Sequence, residues 1–140
     1  MPSASEPLYG SCLCGGVRLR ITGPFERATY CHCHNCQKRT GSASSAQGRV
    51  AQENFELLEG HQLLKSFTLG EGLRPKVFCL RCGSSLFSGE PLTDPEVSVR
   101  LGILDGDPGI RPQARTFTDS APAWAPVPAD DLIRIPGPAG

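Results

Sequence analysis

Three cysteines fall within six residues in Cys31-His32-Cys33-His34-Asn35-Cys36. Packing has no use for thiols at that density, whereas metal binding and redox chemistry do. Two further clusters, Cys12-Leu13-Cys14 and Cys79-Leu80-Arg81-Cys82, account for the rest of the seven cysteines in this 140-residue chain. The chemistry of the protein turns on how these thiols divide.

Cys79-x-x-Cys82-Gly83 has the form of a zinc knuckle, a tight turn that aims two sulfurs at one ion. Its glycine permits the positive φ that turns backbone N–H groups toward the thiolates. A knuckle is half a tetrahedral site, and the glycine-flanked pair Cys12 and Cys14 is its natural complement. Four protein ligands leave no position for substrate, so such a site is structural. Cys31, Cys33 and Cys36 then remain as three ligands with a fourth position free, the ligand count of a catalytic zinc. A division of four plus three uses every cysteine, but spacing alone does not fix it. His32 or His34 could close the second site as a structural Cys₃His set, and clustered thiols also suit a redox switch.

The elements that must position these residues are short. With 16 Gly, 13 Pro and 6% aromatic residues, strands joined by turns fit the chain better than long helices. Alternation predicts strands at Val17–Ile21, 28–30, around 55–57, 64–69, 76–78, 84–87 and 97–101. His34 to Thr40 reads as one or two helical turns closed by Gly41, and the small residues Ser42 to Ala46 read as a strand. Residues 1–9 read as a disordered lead-in, 10–126 as one zinc-binding domain and 127–140 as a tail. His61 reads as a solvated residue and Trp124 as a core plug or pocket wall. Lys38 and Arg39, just past the thiols, read as a solvated face or as holders of a ligand's carboxylates.

Charge excludes some functions. The 14 basic and 14 acidic residues cancel, and no Lys/Arg run offers a nucleic-acid surface. The apolar stretches are too short to cross a bilayer. Met1 to Glu6 lacks the basic start and apolar core of a signal peptide. These features point to a cytoplasmic protein with reduced thiols. A disulfide framework would need an oxidising compartment and would leave one thiol over.

Five motifs occur in order. They are Gly10-Ser11-Cys12-x-Cys14-Gly15-Gly16-Val17, Cys31-His32-Cys33-x-x-Cys36 with Thr40-Gly41, Phe78-Cys79-x-x-Cys82-Gly83-Ser84, Gly102-x-Leu104-Asp105 and Ala121-Pro122-x-Trp124. The set closely resembles the glutathione-dependent formaldehyde-activating enzyme family, which shares a superfamily with centromere protein V. The resemblance implies a mainly β, zinc-stapled fold of the Mss-four-like type with short helical turns. It implies two zinc ions, a structural one on Cys12, Cys14, Cys79 and Cys82 and a catalytic one on Cys31, Cys33 and Cys36. It also implies a carbon–sulfur lyase that handles the adduct of glutathione with a small aldehyde such as formaldehyde. The chain departs from the family pattern at His34 and Asn35, inside Cys33-x-x-Cys36, and in having no histidine over Gln113 to Phe117.

Overall fold

A computed structural model describes residues 6–137. The protein is mainly β, with one α-helix among the described residues. A small sheet is built from β1 (Leu8–Ser11), β2 (Arg18–Ile21) and β5 (Phe55–Glu59), in the order β1-β2-β5. The large sheet adds β3 (Arg27–Cys31), β4 (Ser45–Ala51), β6 (Leu64–Phe67), β7 (Lys76–Cys79), β8 (Ser85–Ser88), β9 (Glu96–Arg100), β10 (Ala114–Thr116) and β11 (Ile133–Ile135). Its order is β11-β10-β3-β4-β9-β8-β7-β6.

Period-two alternation gives each sheet an apolar face. In the small sheet Leu19 and Ile21 point inward, while Arg20 faces out opposite Glu56 and pairs with it. In the large sheet Val77, Phe87 and Val99 are aligned across β7, β8 and β9. These faces meet in one core, and the Phe55 and Phe87 rings join the sheets edge to face at 5.0 Å. Burying one sheet face of this kind against another is the main source of stability in such a fold.

The large sheet's other face is polar, and register shows why. Lys76 pairs with Ser88, Ser88 with Ser98, Ser98 with Arg49, and Arg49 with Arg27. One row over, Arg100 pairs with Gln47, Gln47 with Thr29, and Thr29 with Ala114. A third row runs from Ser45 through Cys31 to Thr116 and Ile135. The end of this face carries a thiol, and its middle carries positive charge.

The helix α1 (His34–Thr40) follows β3 directly. Cys33 caps its start, accepting from the Cys36 N–H, and Gly41 closes its end at φ 69, as the sequence predicts. Four elements differ from expectation. The strand read over Ser42 to Ala46 begins only at Ser45 and continues to Ala51, because β3 and β9 both supply backbone partners there. β1 includes Leu8 and Tyr9, which fall in the stretch read as lead-in, and residues 1–5 of that stretch lie outside the described residues. β10 lies beyond the last stretch read as a strand, and β11 lies in the segment read as tail. Each has three residues, too few for a period to declare itself, and each is held by parallel pairing.

Candidate functional site

The structure gathers the seven cysteines into two groups, and all seven are free thiols. Cys12, Cys14, Cys79 and Cys82 form one, with their sulfurs all within 4.8 Å of one another. Cys12 Sγ is 3.4 Å from Cys14 Sγ, which is 3.9 Å from Cys79 Sγ. A tetrahedral zinc with ordinary Zn–S bonds sets its sulfurs about 3.8 Å apart, so the four thiols fit that ion. The knuckle turns through Gly83 at φ 79, whose N–H donates to the Cys79 carbonyl at 2.8 Å. The Leu13 N–H donates to Ser84 Oγ at 2.9 Å, locking the early loop to the late hairpin.

Donors converge on these sulfurs. The Val17 N–H reaches Cys12 Sγ at 3.2 Å, and Arg81 Nε reaches Cys14 Sγ at 3.2 Å. Backbone hydrogen bonding at Gly16 and the Arg81 side chain hold the Cys14 thiol below its ordinary value. Hydrogen bonds to the Ser84 side chain and backbone bring Cys82 down to about 5. Cys12 and Cys79 are buried and Cys14 is exposed, so the site pins core to surface.

Cys31, Cys33 and Cys36 form the second group, again with sulfurs within 4.8 Å of one another. Cys31 ends β3, Cys33 is the helix cap and Cys36 lies in the first turn of α1. A strand end running into a short helix thus delivers three thiols to one point. Hydrogen bonding between the Cys31 thiol and Cys36 pulls Cys36 down to about 4 and, with burial, pushes Cys31 up. Ser45, Cys33 and the Arg39 charge also favour the Cys36 thiolate.

Neither histidine joins this group. His32 is buried and turned to the opposite side of the strand, where its Nε2 lies 3.3 Å from Arg115 Nη1. Burial, and then the Arg115 charge, keep its imidazole less basic than usual. His34 is exposed at the first position of α1. Three thiols whose sulfurs lie this close suit the same soft ion as the first group, with one coordination position left.

Cys31 and Cys36 line a cavity of about 590 Å³ over the polar sheet face. Its lining includes Arg27, Arg39, Arg49, Arg74, Lys76 and Arg100, and no carboxylate. Burial brings Arg100 down to about 10 and makes Lys76 easier to deprotonate, with neighbouring cations adding to both effects. Phe117 forms part of the wall at φ 56, among the described residues the one non-glycine with positive φ.

Sequence reasoning did not find this cationic lining. Its trace was the polar half of the alternation, Ser98 and Arg100 alternating with Val97 and Val99, which names a face without naming its neighbours. Of the two cations after the thiols, Lys38 is exposed while Arg39 turns inward to Cys36 and Ser85. Trp124 is 72% exposed and is not a core plug. Its proline-bounded turn stays on the surface, where the indole edges a shallow groove with Gln37, Lys38, Gly41 and Ser42. His61 is exposed as expected.

No helix among the described residues is long and apolar enough to cross a membrane. A "Putative glutathione-dependent formaldehyde-activating enzyme" of Halomonas elongata is 26% identical over 136 residues, covering 91% of this chain and 85% of its own. The crystal structure of a Rhodobacter sphaeroides protein superposes with a TM-score of 0.57 at 23% identity, over 74% of this chain and 91% of that one, and supports the fold. A family model matches residues 7–120, a span that contains both thiol groups. The chain belongs to the glutathione-dependent formaldehyde-activating enzyme family.

Proposed function

We propose that the protein is a zinc-dependent carbon–sulfur lyase that forms and cleaves the adduct between a thiol, glutathione, and a small aldehyde such as formaldehyde. The observation that carries this reading is the opening of the three-thiol group onto the cationic cavity, with Cys31 and Cys36 in its wall. The family membership and the Halomonas relative's name support the choice of thiol and aldehyde.

Two zinc ions are assigned, one structural on Cys12, Cys14, Cys79 and Cys82 and one catalytic on Cys31, Cys33 and Cys36. Zinc in the second position would supply a Lewis acid that keeps an incoming thiol ionised at neutral pH. The chain's own residues supply the rest. Cys31, Cys33 and Cys36 present three sulfurs from one side and leave the cavity side for substrate. Arg39, with Nη2 at 3.6 Å from Cys36 Sγ, places positive charge where negative charge passes from sulfur to the aldehyde oxygen. In the forward direction the substrate sulfur bonds to the carbonyl carbon, the carbon–oxygen π pair moves to oxygen, and that oxygen takes a proton. The product is the S-hydroxymethyl thiol, and the reverse is the lyase reaction. The thiols' reduced state fits a cytoplasmic setting.

Glutathione titration of the cobalt-substituted protein tests the proposal, since sulfur-to-cobalt charge-transfer bands report the thiolate set. A saturable change in the wild type, absent in Cys36→Ser, is the expected result. No change at millimolar glutathione would overturn the reading and leave both metals as staples of a binding module.

A further inference from the structure

The cavity's cations fall into two sets. Arg27 and Arg49 pair with Glu96, and Arg74 with Asp94. Arg39, Lys76 and Arg100 have no carboxylate partner among the described residues. All three line the same cavity as Cys31 and Cys36.

Arg100 is the member that demands an explanation. It is only 7% exposed. Its Nη1 donates to the Ser98 carbonyl at 3.3 Å and its Nη2 to Ser88 Oγ, both neutral oxygens. Its Nε is buried with no partner. Hydrogen bonds to neutral groups meet some of its donors and leave its charge uncompensated, which a protein interior tolerates poorly. Strand register adds a second cation nearby, since Arg100 follows Ser98 by two residues on β9 and Ser98 pairs with Ser88, which pairs with Lys76. Arg39 approaches from the thiol side and anchors on Ser85 of β8. Cations from three elements therefore converge where no carboxylate among the described residues pairs with them.

We propose that Arg100, together with Lys76 and Arg39, is a binding site for a carboxylate of the thiol substrate, so that the cavity selects acidic thiols over neutral ones. The inference rests on the proposed function for the identity of the ligand as a thiol, and deepens it by naming the group that is recognised. Arg100 lines the cavity, and a guanidinium there suits a planar carboxylate, which would provide the charge that Arg100 lacks. Lys76 and Arg39 act as point charges beside it. In this arrangement the carboxylate sets how far the thiol reaches along the cavity toward Cys31 and Cys36.

The test is calorimetric titration of the zinc-loaded protein with S-methylglutathione, whose blocked sulfur has no thiolate to offer a metal. Its diethyl ester, which lacks the carboxylates, is the control. The acid is expected to bind saturably and the ester at least about tenfold more weakly. Arg100→Met and Lys76→Met are each expected to weaken binding of the acid, Arg100→Met by about tenfold or more. Lys76 is only partly buried, so its variant decides the matter if Arg100→Met fails to fold. Equal affinities for acid and ester, no binding to the wild type, or both variants within twofold of wild type would overturn the site. The proposed function is read separately, from the cobalt-substituted wild type with the neutral thiol 2-mercaptoethanol. Acid binding without any cobalt response would leave the carboxylate site standing and remove the lyase reading.

Discussion

Arg39 Nη2 lies 3.6 Å from Cys36 Sγ, three residues back on the same helix, while its Nη1 donates to Ser85 Oγ at 3.1 Å. One guanidinium thus ties the three-thiol group to the start of β8. It holds positive charge beside a sulfur without ligating anything itself. Replacing it by a methyl-ended chain of similar length separates charge from architecture. Arg39→Met is expected to retain both metals and to lower kcat/KM by about 10- to 100-fold, the range found when groups around metal ligands are removed. Metal content and steady-state kinetics together check this.

The two metal groups should fail differently. Cys36→Ser removes a ligand from a site at the end of one strand and one helix turn, so the fold and one zinc per chain are expected to remain. Activity is expected to fall by more than about 100-fold, beyond what outer-shell changes cost. Cys82→Ser breaks a site that joins cysteine pairs 65 or more residues apart, and structural zinc contributes roughly 10 kcal/mol to folding in small domains. A large drop in Tm by circular dichroism is the expected outcome there. Equal effects of the two changes on Tm would contradict a structural and a catalytic division.

His32 and His34 are both placed away from the three-thiol group. His34→Ala and His32→Gln are therefore expected to keep two zinc ions per chain by mass spectrometry under native conditions. His34→Ala should leave Tm within a degree or two, because that side chain is exposed. Loss of one zinc in either variant would show that a histidine closes the site.

Thiol ionisation in the zinc-free protein has a defined sign. Cys36 is drawn down to about 4 and Cys82 to about 5, from a value near 9. Between those depressed values and about 9 the unfolded chain binds more protons, so these groups contribute stability that grows with pH and is lost as pH falls through 4 to 5. Cys31 is shifted the other way, and its contribution is lost as pH rises above 9. At pH 6, iodoacetamide is expected to label Cys36 and Cys82 first and to spare Cys31 and Cys79. Peptide mapping reads the order, and labelling led by Cys31 would reverse the assignment.

Phe87 carries the contact between the two sheets, 1% exposed and edge-on to Phe55. Phe87→Ala is expected to cost about 3–5 kcal/mol through lost burial and a residual cavity. Urea denaturation of the zinc-loaded protein measures it. The same residue forms no part of the polar face, so any protein that stays folded should keep its metal content.

The sequence by itself determined where the thiols cluster, because each cluster is local. Cys31, Cys33 and Cys36 are brought together by one strand end and one helix turn, and Cys79-x-x-Cys82-Gly83 by a single tight turn. Spacing over a few residues brings each of these clusters together, Gly41 and Gly83 mark the turns by the conformations they allow, and only the fold joins Cys12 and Cys14 to Cys79 and Cys82. The mainly β character was equally legible, since alternation over four or five residues needs no knowledge of partners. Only the tertiary structure decided what lies beside the thiols. Net charge is zero and no basic run exists, yet β3, β4, β7, β9, α1 and the loop before β7 bring six cations into one cavity. That concentration depends on which strand pairs with which, and in what register. A shift of one residue in β9 would turn Arg100 into the core and Val99 into the cavity. Register is set by the packing of the opposite apolar face, so the cationic cavity is a consequence of the core, and no short stretch of sequence contains it.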